Sequence, residues 1–155
     1  MSESSDPTLR RLNRDVLAVR GWPAFGGMFD LLNEWPADVP VRQGVYVFLA
    51  AGKRIGYPVG ESSIVYFGKA EQQRGIRGRV GYHRGVIRRG PDERWPGHPA
   101  HEWLMARGGF CLYSVAPDDA RLGSPSDSAR WIERRLAGAF QRLHRTRPVG
   151  NGIGA

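Results

Sequence analysis

Apolar residues recur along this chain with two different spacings, and the spacing separates predicted strands from predicted helices. Apolar, β-branched runs predict strands, because such side chains pack well on a pleated surface. Three such runs are present, at Gly44–Ala51, Ser63–Gly68 and Gly109–Val115. The first two are joined by a short, turn-rich connection, so we expect them to pair antiparallel. The predicted sheet therefore has three strands and is largely antiparallel.

Helical spacing of apolar residues surrounds these strands. The clearest helix is Pro125–His144, whose predicted apolar face comprises Ala129, Ile132, Leu136, Ala139, Phe140 and Leu143. Weaker periodicity predicts helices at Leu9–Val19, Gln72–His83 and His101–Arg107, and residues 24–35 are predicted as a short helix or turn. The pattern predicts an α+β fold, in which a small three-stranded sheet is flanked by helices and preceded by an N-terminal helical extension.

The chain has 155 residues, which is enough for one domain with its own core. We divide it into a disordered tail at 1–8, a helical extension at 9–42 and a main domain at 43–155. A single cysteine, Cys111, excludes an internal disulfide and fits a reducing compartment. The polar N-terminus and the lack of an apolar run of about 20 residues predict a cytoplasmic protein without a membrane span.

The net charge of the chain indicates which class of partner to expect. The formal net charge is +8, and nearly all basic residues are arginines, since Lys53 and Lys69 are the only lysines. The planar guanidinium of arginine pairs with phosphate through two hydrogen bonds. A basic domain of this size favours a polyanion as partner, and nucleic acid is the first candidate.

Each of the first two predicted strands also carries a tyrosine close to a glycine, in an order that resembles the GIY-YIG nuclease family. Gly44-Val45-Tyr46 corresponds to the first motif of that family, and Tyr66-Phe67-Gly68 to the second. The stretch Ile76-Arg77-Gly78-Arg79-Val80, a helix bearing Glu133, and Pro148-Val149-Gly150-Asn151 follow in the family's order. Within the family, the chain resembles most the N-terminal nuclease domain of the bacterial excision-repair nuclease.

The resemblance implies an endonuclease that hydrolyses DNA phosphodiester bonds with one divalent ion, Mg²⁺ (or Mn²⁺). Such chemistry needs a base near the attacking water and cations around the phosphate. The resemblance implies that Glu133 holds the metal, Arg79 contacts the scissile phosphate and Tyr46 orients the water or the phosphate. Either Tyr66 or His83 would take the proton from water.

A further set of residues is expected to bind substrate, namely Gly68, Lys69, Arg77, Arg88, Arg89 and Asn151. Lys69 would bind phosphate or lower the pKa of a phenol. Asn151 would hold a phosphate or buttress the site. The segment 84–103 combines Arg, Trp and His residues, and we expect it to contact DNA.

Other interpretations of the same residues stay open. The same scaffold could be a nucleic-acid-binding module that does not cleave, or a basic structural subunit of an assembly. The tyrosines alone could be strand packing, and the pair His98 and His101 indicates zinc only weakly, because no cysteine pair accompanies it. DNA is the expected partner, RNA is not excluded, and the enzyme would act as a monomer or as a dimer on DNA.

Overall fold

The computed structural model describes residues 6–90, 98–118 and 125–151. Its centre is an antiparallel sheet of four strands, namely β1 Gly26–Asp30, β2 Gly44–Ala50, β5 Ile64–Ala70 and β6 Gly109–Val115. The strands lie in the order β1-β6-β2-β5 across the sheet. A separate hairpin of two short strands, β3 Ile55–Gly56 and β4 Glu61–Ser62, lies in the connection from β2 to β5.

Helices cover both faces of the sheet. The helices are α1 Pro7–Leu12, α2 Gly75–Arg89, α3 Pro99–Arg107 and α4 Pro125–His144. After α1 the chain continues through a π-helical turn, Asn13–Leu17, and a 3₁₀ turn, Ala18–Arg20. We call the whole of 7–20 the N-terminal helical segment; it shares one apolar core with α4, while α2 and α3 contribute to a second.

The central strand β2 explains why the fold has two cores. Val45, Val47 and Leu49 belong to the core shared with α4, whereas Tyr46 and Phe48 belong to the core shared with α2. This division follows the alternation of side chains along a strand. Because helices cover both faces, every residue of β2 is buried, and the strand is apolar throughout apart from the hydroxyl of Tyr46.

The fourth strand, β1, corrects the prediction of a three-stranded sheet. It lies within residues 24–35, which were predicted as a helix or turn, and it pairs with β6. Gly27 has a φ of +66°, and a Cβ there would lie 2.5 Å from the Cζ atom of Tyr113. Only glycine suits both conditions. Residues 9–42 therefore contribute an edge strand to the main sheet, and the prediction of a purely helical extension is wrong.

The N-terminal helix also begins earlier than predicted. Asp6 caps it, since its carboxylate accepts a hydrogen bond of 3.1 Å from the amide of Leu9. The same carboxylate accepts one of 2.7 Å from the amide of Ser63, and Thr8 Oγ1 lies 2.9 Å from His144 Nε2. Residues 6–8 are thus held by the fold, contrary to the predicted disorder over 1–8; residues 1–5 lie outside the described part of the chain.

The remaining helices agree with the pattern apart from their ends. Helix α2 extends beyond the predicted end at His83 to Arg89, so Arg88 and Arg89 lie on its last turn. Residues 91–97 of the segment predicted to contact DNA lie outside the described residues. Helix α4 has the predicted bounds, and its predicted face is confirmed by four buried residues, Ala129, Ile132, Leu136 and Phe140. None of the helices in the described ranges has the length and apolar character needed to cross a membrane.

Candidate active-site cleft

A surface cleft of about 630 Å³ lies beside the edge strand β5, between the first halves of α2 and α4. Tyr66 packs against α2 and Lys69 pairs with α4, because residues an odd number of positions apart on a strand face opposite sides of the sheet. At the edge of β5, side chains that face α2 and side chains that face α4 therefore lie close to each other. Four residues predicted from the sequence line this cleft together: Tyr66, Lys69, Arg79 and Glu133.

Tyr46 lies behind Tyr66 and is fully buried. The two ring centroids are 6.2 Å apart, and the Tyr46 hydroxyl lies 2.9 Å from His83 Nε2. Gly68 pairs with Tyr46 across β2 and β5, and a Cβ on Gly68 would overlap the Tyr46 ring. Gly68 is itself buried and leaves room for this ring, so the structure does not bring it to the cleft as a substrate-binding residue.

His83 continues the buried network behind the tyrosines. Its Nδ1 lies 2.8 Å from His101 Nε2, so both of its ring nitrogens are engaged within the protein. Burial, reinforced by the charge of Arg79, lowers the pKa of His83 to about 2. Burial and the neighbouring His98 lower the pKa of His101 to about 4. Both imidazoles are therefore neutral at pH 7. His83 packs against Tyr66 with ring centroids 5.6 Å apart but does not itself line the cleft.

Tyr66 is half-buried, and it is the member of this network that lines the cleft. Burial raises its pKa, the charge of Glu133 raises it further, and the charge of Arg79 opposes both effects. The Tyr66 phenol is therefore protonated at neutral pH. Burial also raises the pKa of Tyr46, and the charge of Arg79 opposes that rise as well.

Two carboxylates and two cations set the charge on the α4 side of the cleft. Lys69 Nζ lies 3.5 Å from Glu71 Oε1 and 3.9 Å from Glu133 Oε2. Arg130 is 2.7 Å from Glu71 and lowers the pKa of that carboxyl. Burial raises the pKa of Glu133, the charge of Lys69 opposes the rise, and the charge of Glu71 adds to it. Glu133 is thus a half-buried carboxylate near a second negative charge, which a further cation would stabilise.

This donor set fits a particular kind of metal ion. Within the described ranges, no group of three or more His, Cys, Asp or Glu side chains is arranged to hold a metal. Glu133 can offer a single carboxylate, which suits a hard ion such as Mg²⁺ that keeps most of its waters. A fully protein-coordinated ion such as zinc does not fit, because it takes four ligands.

Several predicted substrate-binding residues lie away from the cleft. Arg77 donates a hydrogen bond of 2.8 Å to the Pro36 carbonyl and lies 4.8 Å from the Trp35 ring. Arg88 and Arg89 are exposed on the last turn of α2, about 15 Å along the helix from Arg79.

Asn151 is held at the edge of β5. Its side chain accepts a hydrogen bond from the amide of Phe67 and donates one to the Phe67 carbonyl, both 3.1 Å long. The amide of Gly150 donates to the Val65 carbonyl at 2.7 Å. Of the two roles predicted for Asn151, this geometry matches the buttress, because the segment covers the strand edge next to the cleft.

Four charged or aromatic lining residues were missed by sequence reasoning: Glu71, Arg74, Tyr82 and Arg130. Arg130 precedes Glu133 by almost one helical turn, which places both on one face of α4. In the structure, Arg130 contacts Glu71 at 2.7 Å. Glu71 directly follows the motif of β5, and its position at a strand end was the available signal.

Comparisons with known proteins identify no relative of this chain. No protein-family profile, no curated protein and no solved structure matches it significantly.

Proposed function

We propose that this chain is a metal-dependent endonuclease that hydrolyses DNA phosphodiester bonds, on a scaffold of the GIY-YIG kind. The observation that carries the proposal is the cleft, in which Tyr66, Arg79 and Glu133 come together from three different elements. The ordered motifs along the sequence and the net charge of +8 support it independently.

Each side chain then has a role that its surroundings allow. Arg79 is exposed and binds the scissile phosphate through its guanidinium, where it offsets the charge that develops in the transition state. Lys69 contributes a second positive charge on the opposite side of the cleft. Glu133 would hold the divalent ion, which supplies positive charge next to the phosphoryl oxygens when bound.

The tyrosine pair would orient the attacking water. Tyr66 is the phenol that lines the cleft, so we assign it, rather than the buried His83, to direct contact with the water. His83 and His101 act as positioning residues, because they fix the orientation of the Tyr46 hydroxyl behind Tyr66.

The experiment is a nicking assay on supercoiled plasmid with Mg²⁺, with Mn²⁺ and with EDTA. Glu133→Gln removes the charge of the proposed metal ligand and keeps the shape of the side chain. Glu61→Gln is the matched control, because Glu61 is exposed on β4 and does not line the cleft. We expect metal-dependent nicking by the wild type and by Glu61→Gln, and a loss of at least about 100-fold in Glu133→Gln.

The second candidate is a nucleic-acid-binding module that does not cleave. The contact of Lys69 with Glu133 favours it, since a lysine already neutralises the carboxylate that would hold the metal. Intact plasmid and intact RNA in the presence of either metal, together with salt-sensitive binding, would establish this alternative and reject the enzyme.

A further inference from the structure

A second groove, of about 370 Å³, lies between the N-terminal helical segment and α4. Its apolar lining includes Leu12, Val16, Ala139 and Leu143. Its charged lining consists of four arginines and one aspartate, which gives 4 − 1 = +3: Arg11, Arg20, Arg135, Arg142 and Asp15. None of these residues lines the active-site cleft.

The positive charge of this groove is only partly compensated. The carboxylate of Asp15 already forms salt bridges with Arg14 at 2.7 Å and with Arg11 at 3.5 Å. In the described ranges, no carboxylate forms a salt bridge with Arg20, Arg135 or Arg142, and these three side chains are exposed. Apolar walls beside like charges concentrate a positive potential, so the groove attracts an anion.

An aromatic ring lies among these arginines. Trp131 is 38% exposed, and the guanidinium carbons of Arg20 and Arg135 lie 4.1 and 4.9 Å from its ring centroid. Arginines beside an exposed aromatic ring are the combination that binds single-stranded nucleic acid, in which the cations track phosphates and the ring stacks on a base. The groove has the size of a small-molecule site, which fits one or two nucleotides and not a duplex.

Helix α4 borders both the groove and the active-site cleft. Arg130 and Glu133 border the cleft, whereas Trp131 and Arg135 lie about 150° further around the helix axis and border the groove. Arg134 is exposed between the two faces, and its charge acts on Glu133. A chain of positive charge thus leads around α4 from one site to the other.

We propose that this groove binds a single strand of nucleic acid flanking the scissile phosphate, with phosphates at Arg20, Arg135 and Arg142 and a base stacked at Trp131. The inference rests on the proposed function in one respect, namely that the strand continues into the cleft. It deepens that function, because it assigns a substrate with a single-stranded portion, such as a flap or an unpaired end.

The test measures binding of fluorescein-labelled dT₂₀ to the whole chain by anisotropy, in EDTA and over a range of salt concentrations. The test variant is Arg20→Gln/Arg135→Gln/Arg142→Gln. The control variant, Arg10→Gln/Arg54→Gln/Arg107→Gln, removes the same number of charges outside both sites. A third variant replaces the groove arginines by lysine, which keeps the charge and checks that the fold is intact.

We expect the glutamine groove variant to bind at least 10-fold more weakly than the control variant, with a salt slope lower by about 2 for three lost phosphate contacts. The lysine variant should recover most of the affinity. Trp131→Leu should weaken dT₂₀ binding and leave the salt slope unchanged, because it removes stacking and no charge. Equal losses in the groove and control variants, or binding of a blunt duplex that depends equally on Trp131, would overturn the inference.

The two proposals fail separately. Binding in EDTA requires no catalysis, so loss of dT₂₀ binding in the groove variant without any nicking by the wild type would support the groove and reject the nuclease. Metal-dependent nicking that is lost in Glu133→Gln, combined with unchanged dT₂₀ affinity in the groove variant, would support the nuclease and reject the groove.

Discussion

The ring of Tyr46 lies directly over Gly68 on the neighbouring strand, and a methyl group on Gly68 would overlap the ring. The glycine of the second motif is therefore explained by the tyrosine of the first. This contact also holds the Tyr46 hydroxyl within 2.9 Å of His83. A pair that the sequence presents as two separate tripeptides is one packed unit in the fold.

Replacing Gly68 by alanine should destabilise the protein through this contact. We expect Gly68→Ala to lower the free energy of unfolding by about 1–3 kcal/mol, because the core must accommodate an extra group. Chemical denaturation measures the change. Gly56→Ala is the matched control, since a Cβ there meets no atom within 4 Å. If the two variants lose the same stability, the Tyr46–Gly68 contact does not explain the glycine.

A double-mutant cycle isolates the contact itself. In a Tyr46→Ala background, Gly68→Ala should cost less than in the wild type, because the ring that it would displace is gone. A cost that is unchanged between the two backgrounds would show that Gly68 is constrained by something other than Tyr46.

Two nearby arginines of α2 should separate function from stability. Arg79 lines the cleft, whereas Arg77 donates to the Pro36 carbonyl and lies against Trp35. Arg79→Gln should reduce nicking by about 100-fold or more and leave stability nearly unchanged. Arg77→Gln should instead cost about 1 kcal/mol of stability and retain nicking within a few-fold. The reverse outcome, measured by plasmid nicking and thermal unfolding, would reject the assignment of Arg79 to the phosphate.

The buried histidines should make the protein sensitive to mild acid. Burial lowers the pKa of His83 from 6.5 to about 2, so between these values the unfolded chain binds more protons than the folded one. Stability is then fully present above pH 6.5 and falls as the pH decreases toward 2. For His83 alone, the loss between pH 7.5 and pH 5 is about 2 kcal/mol.

The measurement is the free energy of unfolding of wild type and His83→Gln at several pH values. The substitution lowers stability at every pH, so the readout is the slope. We expect the pH dependence of the variant to be weaker by about 2 kcal/mol over that interval. An identical slope in both proteins would mean that His83 does not remain neutral in the fold.

Local sequence patterns were sufficient to predict the elements whose burial follows a regular pattern along the chain. The continuous apolar run of β2 and the apolar face of α4 predicted their positions, because a strand covered on both faces is apolar throughout and a long amphipathic helix buries residues at a fixed period. Strand β1 was missed because its pairing with β6 depends on the fit of Gly27 to Tyr113, which is far away in sequence. The start of α1 was missed because Asp6 is held by Ser63.

The candidate site shows the same division. The family resemblance predicted four site residues that line one cleft in the structure: Tyr66, Lys69, Arg79 and Glu133. Arg77 was predicted to bind substrate, yet the helix directs it to the loop at Pro36. Two residues along a helix change direction by about 200°, and only the surrounding fold decides which direction faces the cleft.

The sequence by itself determined the central strand pair, the long α4 helix and the basic charge, because these follow from residue type and local spacing. The tertiary structure alone decided that His83 is buried and neutral, that Gly68 serves the Tyr46 ring and that Asn151 covers the edge of β5. It also decided that α4 borders two separate positive surfaces. Burial and contact between distant residues arise only when the helices close over both faces of the sheet, and no local pattern encodes them.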